Sequence, residues 1–186
     1  MQSGKVKRRE FEYICHGTLA FTFNFDVATG QMAAVTANAT RTEQDFLAHI
    51  QQRIESQPEI KKWHFVSDNL NTHLSASLAR YVAVISGVTE VLGIKGKEGI
   101  LKSKLSRAAF LSDPTHKIVF HFTPKHASWM NQVEIWLSIL VRKVIKRGNF
   151  SSIDELKRKV LAFVNYYNLT MAKPFKWTYQ GKPLAA

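Results

Sequence analysis

A mixed α/β fold, one sheet with helices on its faces, is predicted by three features of the sequence. Strand-like alternation and helical three- and four-residue spacing take turns in the order hairpin, helix, strand, helix, strand, helix, helix. Two short apolar runs, WHFVS at 63–67 and KIVFHF at 117–122, are flanked by polar and turn residues, as buried strands are. With 186 residues, 45% of them hydrophobic, the chain is long enough to bury one sizeable core, so a single domain over 1–186 is expected.

The elements follow in order. Residues 11–25 and 31–37 are rich in aromatic and β-branched side chains, and DVATG between them is a turn, which predicts a hairpin. TEQDFLAHIQQRIES, 42–56, opens on a Thr-x-x-Asp cap pattern and places Phe46, Leu47, Ile50 and Ile54 on one face of a helix that must end before Pro58. The strand 63–67 runs directly into Asp68, and a helix over 74–86 follows. Residues 86–116 hold four glycines and five Lys or Arg residues with weak periodicity, which predicts an insertion or long loop around a short helix near 103–111.

The strand 117–122 leads through Thr123-Pro124 into TPKHASWMNQVEIWLSIL, where Val133, Trp136 or Leu137, Leu140 and Val144 form one apolar helical stripe. That stripe assigns Trp136 to the core. Ile135, Ile139 and Val141 lie off it, so the helix is expected to be buried on more than one side, with its only acid, Glu134, partly desolvated. Asn131 followed by Glu134 three residues on also fits a capping box. RGNFSS is a turn, 152–170 a further helix, and the ending KPFKWTYQGKPL a basic, aromatic tail; 151–186 is expected to be this helix with its tail.

Composition narrows the function. A net charge of +12, from 26 Lys and Arg against 14 Asp and Glu, attracts polyanions, of which nucleic acid is the commonest in cells. Residues 135–186 carry ten basic and two acidic side chains. One cysteine, Cys15, excludes an intrachain disulfide and a cysteine zinc site, and neither a membrane span nor the apolar stretch of a signal peptide is visible. A cytoplasmic protein with no membrane partner is therefore expected.

Asp68 ends a buried strand, the place where sites assemble in open α/β sheets, although Asp-Asn is also ordinary cap chemistry. FDVATGQ, SDNLNTH, LSDPTHKIVFHFTPKHASWMNQVEIWLSILVRK and AKPFKWTYQGKPL together resemble the DDE transposases of bacterial insertion sequences in the mariner superfamily, over residues 8–184. The resemblance implies a ribonuclease-H-like mixed sheet flanked by helices and a site in which three carboxylates hold two divalent ions, Mg²⁺ or Mn²⁺. Asp68, in the DN motif, and Glu134, in the NQVE motif, match the second and third as catalytic residues and metal ligands. Hard oxygen donors suit such ions, and two of them about 3.5–4 Å apart can activate a nucleophile and stabilise the leaving oxygen of a phosphodiester.

The implied first aspartate belongs to a strand upstream of the segment matched by KRREFEYICHG, so this central strand and a helix-turn-helix region are expected to be missing and the chain to be an N-terminally truncated portion. Asp26 is a turn residue by its setting in DVATG, with a catalytic role as the minor alternative. Lys125, His126, Arg142, Lys143, Lys146 and Arg147 are candidate DNA phosphate contacts, and Asn69, His73 and Asn131 candidates for supporting the ligands. The cations after the helix also suit its C-terminal dipole. DNA is the expected partner, with a homodimer or an upstream transposase segment as a second. The alternative is a DNA-binding remnant without chemistry.

Overall fold

The computed structural model describes residues 14–124, 131–146 and 148–174. Among them it is a mixed α/β structure of helices and small sheets. Strands β1 (Ala20–Asp26) and β2 (Gln31–Asn38) pair antiparallel, with Phe23 opposite Val35 and a bulge between Asn24 and Phe25. Asp26 makes the turn: its Oδ1 accepts from the Ala28 and Thr29 N–H groups at 2.9 and 3.3 Å, and the Gly30 N–H donates to its carbonyl. Gly30 has φ +74°, and a Cβ there would meet the Lys173 carbonyl oxygen at 1.8 Å, so only glycine fits. The first strand begins at Ala20, later than the aromatic run predicts. Residues 14–18 are exposed and have no sheet partner to convert their strand propensity into pairing.

Helix α1 (Glu43–Glu55) starts on the anticipated box, with the Thr42 side chain and backbone exchanging bonds with Asp45. Strand β3 (Trp63–Ser67) lies parallel to β4 (Ile118–Phe122), the pair being joined by α2 (Ala76–Ser86) and α3 (Lys104–Leu111). Parallel neighbours need such a crossover. Helices α1, α2 and α3 cover this pair through Ile50, Leu78, Val82, Leu111, Ile118 and Phe120.

Helix α4 (Gln132–Leu140) and α5 (Ile153–Thr170) build a second core on the β1–β2 hairpin. Trp136 lies at its centre, 1% exposed, with ring centroids 4.9 Å from Phe23 and 5.9 Å from Tyr167. Truncating so large a buried side chain typically costs about 3–5 kcal/mol.

Two expectations need correction. In place of one sheet, the described strands form two separate two-stranded sheets, β1–β2 and β3–β4. The fourth helix is also less buried than its composition suggests, since Ile135 is 50% and Val141 46% exposed. From Val141 to Ile145 it widens into a π-helical segment, in which Val144 and Ile145 still pack against the second core.

Candidate functional site

A cavity of about 750 Å³ opens between β1 and β3. Its walls run from Phe21 to Asp26 along one strand and from Trp63 to Asp68 along the other, with Asn131 and Glu134 at the start of α4. Asp26, at the end of β1, acts electrostatically on Arg53, whose guanidinium lies 4.9 Å from the ring centroid of Trp63 at the start of β3. At the Asp68 end, Arg41 opposes protonation of His73.

Four acids line the cavity, and local structure sorts them. Asp26 is engaged by its own turn. Asp45 is engaged by Thr40 and Thr42, whose hydrogen bonds hold its carboxyl below the usual range. Asp68 follows directly on β3, whose ladder ends where the Thr123 N–H donates to the Ser67 carbonyl at 2.9 Å. Asn69 Nδ2 donates to the Thr123 carbonyl at 2.6 Å and ties the Asp68 loop to the end of β4.

One oxygen of Asp68, Oδ1, accepts from the Leu70 N–H at 3.3 Å and lies 2.5 Å from His73 Nδ1. The same nitrogen is 2.8 Å from Ser67 Oγ, so His73 Nδ1 lies against two oxygens. Burial lowers the His73 pKa, and the Asp68 charge only partly offsets it. The imidazole is held further by Phe46, 4.2 Å away between ring centroids.

Glu134 is exposed to the cavity and accepts no hydrogen bond among the described residues. The cap reading is half realised: Asn131 Oδ1 accepts from the Val133 N–H at 3.4 Å, but no bond returns from Glu134 to the cap backbone. The expected partly desolvated setting is also corrected, because Glu134 is exposed on the cavity wall.

A family model described as "DDE superfamily endonuclease" matches residues 1–157. The chain belongs to this family. Neither a curated protein nor a solved structure gives a significant match. Membership implies transposase-like DNA cleavage with DNA as substrate, and DDE endonucleases generally use divalent metals. The donors fit such an ion in kind, as Asp68 and Glu134 supply hard carboxylate oxygens to one cavity. Among the described residues no group of three or more His, Cys, Asp or Glu side chains is gathered as a metal site.

The remaining sequence candidates of this DDE endonuclease divide by position. Arg142, Lys143 and Lys146 are exposed on the π-helical segment and its end, with Arg142 Nε donating to the Ser138 carbonyl at 3.2 Å. Lys125, His126 and Arg147, with Trp129 and the tail from 175, lie outside the described residues. Three cations on the cavity wall, Arg41, Arg53 and Lys62, escaped the sequence reading. Arg53 was detectable: it shares the inner face of α1 with His49 and Ile50, and a charge on a buried face implies a partner. No described helix is long and apolar enough to cross a membrane.

Proposed function

We propose that this chain is the ribonuclease-H-like catalytic portion of a bacterial insertion-sequence transposase of the mariner superfamily, cleaving and joining DNA strands in the cytoplasm. The observation that carries the reading is the placement of Asp68 and Glu134, from the end of β3 and the start of α4, on one cavity. These two residues would hold Mg²⁺ or Mn²⁺. Such an ion, when bound, activates the attacking oxygen and stabilises the leaving one. The protein's own part is to aim the carboxylates: His73 fixes one Asp68 oxygen, and Asn131 starts the helix that presents Glu134. Arg142, Lys143 and Lys146 are the phosphate contacts that would position DNA beside them.

Among the described residues the other two acids on the cavity, Asp26 and Asp45, are engaged by their own turn and cap. Among the described residues no strand pairs with the edges of β1 and β3 that border the cavity, and those walls are apolar on both sides, with Phe21 and Phe23 toward α4 and Phe46, Phe65 and Phe120 toward the helices α1 to α3. An extended segment satisfies two such edges at once. The occupant this groove suits is an apolar strand of a further transposase segment, carrying an acid at the Asp68 end. Without it, two ligands bind an ion weakly and strand cleavage is impaired.

Nicking of supercoiled plasmid tests the reading. The chain alone is expected to cut little or nothing with Mg²⁺ or Mn²⁺. Supplying the acidic strand should give cleavage that Glu134→Gln removes. Cleavage by the chain alone that Asp26→Asn abolishes would assign the third role to Asp26, and salt-sensitive DNA binding with no cleavage in either form would favour the DNA-binding remnant.

A further inference from the structure

The segment between α2 and β4 is a closed structure. The Leu101 N–H donates to the Leu92 carbonyl at 3.0 Å and the Ile94 N–H to the Glu98 carbonyl at 3.2 Å, so residues 92–101 fold back on themselves. Leu101, fully buried, anchors this loop in the core shared with Phe120 and Leu78. A reciprocal cap between Ser103 and Ser106 then starts α3.

From this base, three cations reach segments that flank the walls of the site. Lys104 Nζ donates to the Asn69 carbonyl at 2.7 Å. Arg107 Nε donates to the Leu74 carbonyl at 2.6 Å, while its Nη1 donates to the Leu101 carbonyl at 2.9 Å. Arg107 thus joins the loop that carries Asp68 to the anchored loop. Lys95 reaches Glu43, the first residue of α1, with Nζ–Oε distances of 3.0 and 3.2 Å.

Asn69 and Leu74 bracket the turn from 69 to 74, which holds His73, the partner of Asp68. The turn is exposed at Asn69, Leu70 and Asn71, while Leu74 is buried in the core and Asn69 is tied to the end of β4. Its two ends are fixed by charged donors on carbonyls, which are stronger than neutral hydrogen bonds and cannot be replaced by apolar side chains. We propose that Lys104 and Arg107 of α3 are positioning residues that hold the Asp68 carboxylate in register with Glu134. The inference rests on the reading that these two acids share a cation. Partners that orient a ligand from behind typically change metal affinity by about tenfold or more when removed.

The test compares wild type, Lys104→Met, Lys104→Arg and Arg107→Lys by Mn²⁺ titration, amide hydrogen exchange and thermal unfolding. For Lys104→Met, Mn²⁺ affinity should fall about tenfold. Exchange should quicken at residues 69–74 while α5 and the thermal midpoint stay as in wild type, and Lys104→Arg should restore both. Arg107→Lys keeps the charge but cannot span two carbonyls, so it should show a smaller loss of the same kind; it also avoids the folding risk of an apolar residue there. Unchanged exchange at 69–74 in Lys104→Met and Arg107→Lys would overturn the proposal, as would a loss of affinity that Lys104→Arg fails to restore. If wild type binds no Mn²⁺, or Asp68→Asn binds it equally well, the functional reading fails. The clasp on the turn is then decided by exchange alone.

Discussion

Single side chains decide which acids are available for chemistry. Asp26 serves its turn, so Asp26→Asn, which keeps the Oδ1 acceptor, should leave Mn²⁺ affinity unchanged in a calorimetric titration. His49 is a second case of local control. It is 1% exposed, its Nδ1 bonds Thr36 Oγ1 at 2.9 Å, and burial lowers its pKa to about 4. The folded state therefore resists protonation that the unfolded chain accepts below its ordinary value of 6.5. Stability should be at full strength above that pH and fall as the pH drops toward 4, by about 3 kcal/mol in the limit. Urea unfolding at pH 7, 5.5 and 4.5 measures this slope, and His49→Leu should flatten it. Asp68 and Glu134 were legible in the sequence because each stands at an element boundary inside a short motif. Lys104 and Arg107 were not: their partners, Asn69 and Leu74, lie 35 and 33 residues away, a separation that no local pattern encodes.

At the scale of elements, periodicity located α1, β3, β4 and α5 closely, and cap chemistry explains the accuracy at the start of α1. It failed at the start of β1, where propensity has no partner strand among the described residues, and it missed the π form after Leu140, although the stripe residue Val144 packs against the second core as expected. The glycine-rich segment had no periodicity to read, because its order comes from backbone contacts that only glycine permits. Gly93 has φ +84°, and a Cβ there would meet the Glu98 carbonyl oxygen at 2.3 Å. Gly96 has φ +79° but open space around its Cβ position. Gly96→Ala should therefore cost only the left-handed backbone penalty, about 1 kcal/mol. Gly93→Ala adds a collision with backbone and should cost about 2–4 kcal/mol. Equal losses for the two in chemical denaturation would contradict a closed loop.

For the molecule as a whole, the alternation of strand and helix patterns correctly announced a mixed α/β structure, but the division into two sheets could not be read from strand patterns. A strand's sequence records how buried its faces are and not which edge is paired. The net charge of +12 implies DNA binding that weakens steeply with salt. In duplex titrations at several ionic strengths, Lys143→Gln combined with Lys146→Gln should lower the slope of log affinity against log salt by about 2, with little change in sequence preference. The cavity between the sheets is where both carboxylates face, so the account depends above all on their acting together. Mn²⁺ binding to wild type, Asp68→Asn and Glu134→Gln, followed by calorimetry, tests this most directly. Each substitution is expected to lower affinity about tenfold or more, and the double variant to lose no more than the worse single one, as for two ligands of one ion. Either variant binding Mn²⁺ as tightly as wild type, or two losses that simply add, would show that Asp68 and Glu134 do not share a site.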